Sequence, residues 1–139
     1  MGRRAQTNTD TIEPRGLIRK REAGRRAYLS GDSAERSVIA DYQRHACNLL
    51  ETRWRGQAGE IDLIVRDGPT YVFCEVKKAR RFDIAMSRLR PAQMRRIYSA
   101  AEEFLGTVPE GLLAEVRFDL ALVDERGAIE IVQNAFGHF

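Results

Sequence analysis

Gly59-Glu60-Ile61-Asp62-Leu63-Ile64-Val65-Arg66, then Asp67-Gly68-Pro69, then Thr70-Tyr71-Val72-Phe73-Cys74-Glu75-Val76-Lys77 is the stretch whose reading decides the fold. The first part alternates. Ile61, Leu63 and Val65 point one way and Glu60, Asp62 and Arg66 the other, which is the two-residue period of a strand with one apolar face. Asp67-Gly68-Pro69 is turn chemistry. The last part is apolar on both sides, with Val72, Cys74 and Val76 opposite Tyr71 and Phe73. A strand with that pattern is covered on both faces and belongs in the middle of a sheet.

The hairpin places two acids together. With a four-residue loop from Asp67 to Thr70, Arg66 pairs with Tyr71 and Asp62 falls directly opposite Glu75. A two-residue loop is expected to shift the pairing by two and leave them diagonal on the same face. Only an odd-length loop or a bulge separates the faces. Opposed Cβ atoms lie about 5 Å apart, where like charges repel. A shared divalent cation turns that repulsion into coordination, and an oxygen-only donor set suits Mg²⁺, with the carbonyl of Val76 a further candidate ligand. Lys77 projects from the same face as Glu75, where a compact ammonium can orient water and stabilise phosphate charge. Only Lys20, Lys77 and Lys78 are lysines among 23 basic residues, so a lysine kept at 77 is itself informative. A plain Glu–Lys ladder on an exposed strand accounts for Glu60, Asp62 and Arg66. It accounts poorly for Glu75, which continues the aromatic face of Tyr71 and Phe73 and needs a partner there.

Outward from the hairpin, Gly31-Asp32-Ser33 reads as a helix entry, followed by Ala34, Val38, Ile39, Tyr42 and Ala46 at helical spacing. Cys47 to Arg55 reads as a strand. Pro91 opens a second helix with the stripe Met94, Ile97, Tyr98, Ala101, Phe104 and Leu105, ended by Gly106. Val116–Val123 and Ala128–Val132 read as two last strands around the turn Asp124–Gly127. The coarse order is α-β-β-β-α-β-β, an α/β chain with a central mixed sheet flanked by helices. At 139 residues and 43% hydrophobic content it fits one domain. No apolar run of about 18 residues is present, so no membrane span is expected, and the basic start lacks the apolar core of a secretory signal. Cys47 and Cys74, with only His45 and His138 beside them, have no zinc spacing and read as buried thiols of a cytoplasmic protein. Residues 1–26 carry a net +5 and the remaining 113 a net −2. A basic N-terminal arm therefore precedes a near-neutral domain from 27 to 139, and such an arm either follows a phosphate backbone or merely solubilises.

The pair Gly59-Glu60-Ile61-Asp62-Leu63-Ile64 and Val72-Phe73-Cys74-Glu75-Val76-Lys77 resembles the signature of the bacterial YraN family. That family is similar to archaeal Holliday-junction resolvases and other PD-(D/E)xK endonucleases. The likeness runs from about Gly31 through Asp83, then over Pro91 to Leu105, Arg117-Phe118-Asp119 and Asn134-Ala135-Phe136. It implies a restriction-endonuclease-like core, metal held by Asp62 and Glu75, and Lys77 as the catalytic lysine. It also implies an additional metal or water ligand at Glu35, although Asp32-x-x-Glu35 reads equally as a capping box. Gln93 matches a polar residue that supports such centres, against the plainer reading of a surface glutamine. Ile61 stands where the motif's proline would be, and Lys78-Ala79-Arg80-Arg81 replaces a small hydroxyl residue before an arginine.

Lys78, Arg80, Arg81, Arg88, Arg90, Arg95 and Arg96 crowd the segment after the central strand and are candidates for phosphate contact, with a solvated helix face as the alternative. No base-reading helix or aromatic platform is evident, so DNA shape is the expected cue. The sequence thus points to a Mg²⁺-dependent endonuclease, with Mn²⁺ able to substitute, acting on branched or structured DNA. The alternative is a nucleic-acid-binding module of the same fold with little or no cleavage. A homodimer is expected by analogy with resolvases. A partner-binding adaptor has no specific support.

Overall fold

A computed structural model describes the backbone from residue 23 to 137 and the side chains from 33 to 137. In chain order the elements are α1 (Ala23–Arg44), β1 (Asn48–Arg55), β2 (Glu60–Asp67), β3 (Thr70–Lys78), α2 (Phe82–Arg88), α3 (Pro91–Leu105), a single 3₁₀ turn (Gly111–Leu113), β4 (Glu115–Val123) and β5 (Ile129–Val132). The five strands form one sheet in the order β1-β2-β3-β4-β5. Only β3 and β4 run parallel; the other neighbours are antiparallel. The result is the expected mixed sheet between helices, the α/β restriction-endonuclease-like core.

Two apolar layers hold it. Ala34, Val38 and Tyr42, four residues apart along α1, bury against Leu63, Val65, Val72, Cys74, Ala121 and Val123 on one face of the sheet. On the other face Ile97, Ala100, Ala101, Phe104 and Leu105 of α3 cover Ile64, Tyr71, Phe73, Phe118, Leu120 and Leu122. Phe104 is the hub of that side, meeting Trp54, Tyr71 and Phe73 edge-on at ring-centroid distances of 5.6, 6.1 and 6.0 Å. The five consecutive buried residues Tyr71–Glu75 follow from this sandwiching, as the sequence of β3 required.

Three sequence expectations change. The helix entry at Asp32 is not an entry, because α1 already runs from Ala23. Glu35 therefore sits well inside the helix and the capping box is overturned. Ala34 and Val38 supply the stripe on either side of it, so the earlier start was concealed by a segment whose Gly and Ser mimic a boundary. The N-terminal arm lies outside the described residues up to position 22, and α1 passes without a break through its expected end at residue 26. The third change is α2, which was not anticipated. Seven residues burying only Ala85 leave no period to read.

The hairpin itself closes more tightly than expected. Asp67 pairs with Thr70 and the loop is Gly68-Pro69 alone, with Gly68 at φ 58°. The register nevertheless stays with Arg66 opposite Tyr71, since the shorter loop adds one pair instead of shifting all of them. A two-residue loop and a shifted register are therefore not equivalent here.

The ladder of β2 and β3 stops at Leu63 opposite Cys74, one step before Asp62 and Glu75. Beyond that step Ile61 joins the same apolar cluster as Ile64, which strict alternation forbids. Across the β1–β2 pairing, Thr52 faces Leu63 and Trp54 faces Ile61, so Arg53 lies at the level of Asp62. Arg53 has φ 49°, a left-handed conformation that is an outlier for a long side chain within a strand. The sheet is thus twisted and opened at one level, and the acidic pair occupies that opening.

Candidate metal centre

Where β2 leaves β3, a side chain takes the place of the missing backbone partner. Oδ2 of Asp62 accepts the N–H of Val76 at 2.9 Å. This fixes the carboxylate beside Glu75, which is only 6% exposed although it is charged. The Lys77 Nζ stands 3.3 Å from Glu75 Oε2. Gln93 of α3 donates from Nε2 to the same Glu75 oxygen at 2.7 Å, and its Oε1 accepts from Lys77 Nζ at 3.4 Å. Glu75, Lys77 and Gln93 therefore form a closed triangle. Asp62 joins it from the neighbouring strand through Val76.

Burial dominates the electrostatics. It pushes the Glu75 carboxyl upward, to about 7, and the charge of Asp62 pushes the same way, against a partial offset from Lys77. Asp62 is also raised by burial, with the Val76 N–H and Lys77 working against the rise. Two carboxylates held together out of water, both resisting ionisation, are a site that gains from a cation. Both donors are hard oxygens. Mg²⁺ commonly takes one or two protein carboxylates and completes its shell with water and substrate phosphate, so two fixed carboxylates fit its demands. Among the described residues no three His, Cys, Asp or Glu side chains gather closely enough to hold a metal between them. A cation at this place would thus rest on Asp62 and Glu75.

The remaining sequence candidates fall into two groups. Gln93 is no surface glutamine: it crosses from α3 to the carboxylate of Glu75, a link across 18 residues that no local pattern reveals. Glu35 lies apart from this triangle, its Oε1 accepting from Arg53 Nε at 3.1 Å. Val76 enters through its N–H. Lys78, Arg80, Arg81, Arg88, Arg90, Arg95 and Arg96 are all exposed. Arg81 is paired with Asp83, Nε to Oδ1 at 3.1 Å, and Arg88 donates to the carbonyl of Lys78 at 2.7 Å. That bond ties the start of the basic segment to the end of α2.

Two supports were not legible in the sequence. Glu103 of α3 accepts the backbone N–H groups of Gln57 and Ala58 at 2.7 and 3.2 Å, clamping the loop that leads into β2. The loop lies so close to α3 that a Cβ on Gly59 would come within 3.3 Å of the Arg96 Cβ. Asp119, fully buried, accepts from Tyr42, from Arg117 and from the Asn134 backbone, joining α1 to β4 and to the turn after β5. Burial and mutual hydrogen bonding of Asp119 explain why Arg117-Phe118-Asp119 is a sequence landmark without being part of the acidic pair.

Comparison with known proteins gives this geometry a family. The model of "Uncharacterised protein family UPF0102" matches residues 34–123. A UPF0102 protein of Ruegeria pomeroyi is 52% identical over 115 residues, covering 83% of this chain and 94% of that one. One from Roseobacter denitrificans is 51% identical over 113 residues, 81% and 88% of the two chains. One from Dinoroseobacter shibae is 45% identical over 119 residues, 85% and 89%. With more than half of its length matched, from the helix that carries Glu35 through the end of β4, and with relatives this similar along nearly their whole length, the chain belongs to the UPF0102 family, the YraN family of the sequence resemblance.

Proposed function

We propose that the protein is a metal-dependent endonuclease that hydrolyses DNA phosphodiester bonds, with branched or otherwise structured DNA as substrate. The observation that carries this reading is the buried Glu75, tied to Lys77 and Gln93 and set beside Asp62 where two strands part. A structural ladder would leave such a charge in water, whereas a phosphoryl-transfer site needs it dry and oriented.

Each side chain then has a role set by its position. Asp62 and Glu75 are the cation's protein ligands, and the Val76 N–H keeps Asp62 turned toward Glu75. Gln93 holds one Glu75 oxygen, which fixes the rotamer and leaves the other free to bind or to accept a proton from water. Lys77, two residues along β3 from Glu75, places its ammonium where it stabilises negative charge on the attacked phosphate. A bound divalent ion supplies charge neutralisation and lowers the pKa of a coordinated water. The exposed Lys78, Arg80, Arg81, Arg88, Arg90, Arg95 and Arg96 supply sequence-independent attraction to the backbone of the nucleic acid. A junction requires cuts on two strands, so two copies acting together are part of this reading.

The test is direct. Purified protein is incubated with a labelled four-way junction and with linear duplex, in Mg²⁺ or Mn²⁺. Cleavage of the junction, abolished by Glu75→Ala and by Lys77→Ala, supports the proposal. Binding without cleavage under either metal overturns it and leaves the second reading, a nucleic-acid-binding module that retains the fold.

A further inference from the structure

We propose that Arg96 holds one particular phosphate of the bound nucleic acid beside the cation site, and so sets the register of the strand instead of adding to a diffuse basic surface. The inference rests on the nucleic-acid reading above. Gln93 and Arg96 lie three residues apart on α3, which makes them surface neighbours about 4.5 Å apart along the axis. Gln93 marks where the helix meets the centre, since it bonds to Glu75. Glu103 lies seven residues beyond Arg96, two turns along the same flank, and it accepts the N–H groups of Gln57 and Ala58. Arg96 therefore stands on the α3 side of the sheet, on the flank that runs from Glu75 to the pinned β1–β2 loop.

The loop is shaped to receive this side chain. A Cβ on Gly59 would lie 3.3 Å from the Arg96 Cβ and 3.9 Å from its Cδ, so the aliphatic stem of the arginine lies along the glycine. A Cβ on Gly56 would run into Glu103 Oε1, so the other end of the loop is pressed as closely on α3. A stem seated in this way has less rotamer freedom to lose when its head binds a ligand. The head itself is free. Arg96 is exposed and has no hydrogen bond or ion pair among the described residues. Glu60, the acid next to Gly59, pairs with Arg55 at 3.4 Å. A guanidinium left open in this way offers a planar fork that matches two phosphate oxygens. Gly59 precedes Asp62 by three residues of chain, about 10 Å, which is about three phosphates along one strand of a duplex. A strand attacked at Asp62 and Glu75 therefore passes Arg96 within a few nucleotides. Other cations are placed differently. Arg81 is paired with Asp83, and Arg88 donates to the carbonyl of Lys78. Arg95, two residues from Gln93 and so about 200° round the helix, faces away from the sheet.

A cycle between the arginine and single phosphates tests this. Fluorescent four-way junctions, each with one neutral methylphosphonate at a different backbone position, are titrated by anisotropy in EDTA across a salt series, using the full chain. For the unaltered protein, neutralising the phosphate that Arg96 holds should weaken binding roughly three- to tenfold. Arg96→Gln should lose a similar factor on the unmodified junction, with a log–log salt slope smaller by about one, and should be indifferent to that same methylphosphonate. Arg95→Gln should stay as sensitive to it as the unaltered protein. Both variants should melt with the wild type, because both side chains are exposed. An Arg96→Gln variant that binds as tightly as wild type, or that weakens without becoming indifferent to any single phosphate, overturns the role of Arg96 alone. So does a coupled phosphate on a different arm of the junction from the bond cut in Mg²⁺. No junction binding by the unaltered protein overturns the nucleic-acid reading and the role of Arg96 with it.

Discussion

Replacing Glu75 by Gln should stabilise the metal-free protein. Glu75 is buried beside Asp62, and its carboxyl is pushed from 4.5 to about 7. A group whose folded pKa is raised in this way binds its proton more tightly when folded than when unfolded. Its favourable contribution is therefore present below about pH 4.5 and lost as the pH rises through 7. A tenfold change in proton affinity corresponds to about 1.4 kcal/mol, so the full displacement sets a ceiling of about 3 kcal/mol on the cost of holding Glu75 ionised at pH 8. That cost belongs to the Asp62–Glu75 pair, and Lys77 offsets part of it. An amide at 75 removes one charge, still accepts from Gln93, and can donate toward Asp62. We expect a gain of about 1–2 kcal/mol at pH 8, or roughly 3–10 °C in melting temperature for a chain of this size. Thermal unfolding in EDTA from pH 5.5 to 8 is the assay. The wild type should lose stability relative to Glu75→Gln as the pH rises, and the gap should narrow toward pH 5.5. Mn²⁺ should raise the melting temperature of the wild type and leave the variant nearly unmoved. A variant less stable than wild type at pH 8 in EDTA, or a gap independent of pH, would refute the electrostatic reasoning.

Asp119→Ala should cost about 3–5 kcal/mol, read as a lower urea midpoint, because it takes the acceptor from the Tyr42 hydroxyl and the Asn134 N–H and leaves Arg117 only the carboxylate of Asp67. Glu103→Ala should accelerate amide hydrogen exchange at Gln57 and Ala58 while costing only about 1 kcal/mol overall, since these two bonds restrain one loop; unchanged exchange would remove Glu103 from the loop's support. Leu113→Ser should be neutral within about 0.5 kcal/mol, the side chain being 94% exposed.

The candidate centre divides between what local periodicity encodes and what only packing creates. Two-residue alternation and a turn of Asp67-Gly68-Pro69 placed Asp62 opposite Glu75 and put Lys77 on their face. Those are relations within a hairpin of under 20 residues, where register follows from sequence spacing. The doubly apolar β3 announced its own central place for the same reason, because a strand's two faces are written in its alternate residues. The stripe of α3 and its ends at Pro91 and Gly106 were equally plain.

The partners of those residues were not written there. Gln93 reaches Glu75 only because Ile97, Ala101 and Phe104 seat α3 on the aromatic face of β3, and that seating depends on side chains from four strands. The true start of α1, and with it the place of Glu35 well inside the helix, was hidden behind residues that imitate a cap. The left-handed Arg53 carries no sequence mark at all, for an arginine is an ordinary strand residue until its neighbours twist it. Sequence alone therefore determined which acidic side chains and which lysine share a face. Tertiary structure decided that Glu75 is dry, that Gln93 and Lys77 hold it, and that Glu35 is given to Arg53, because burial and hydrogen bonding across layers arise only when the helices close on the sheet.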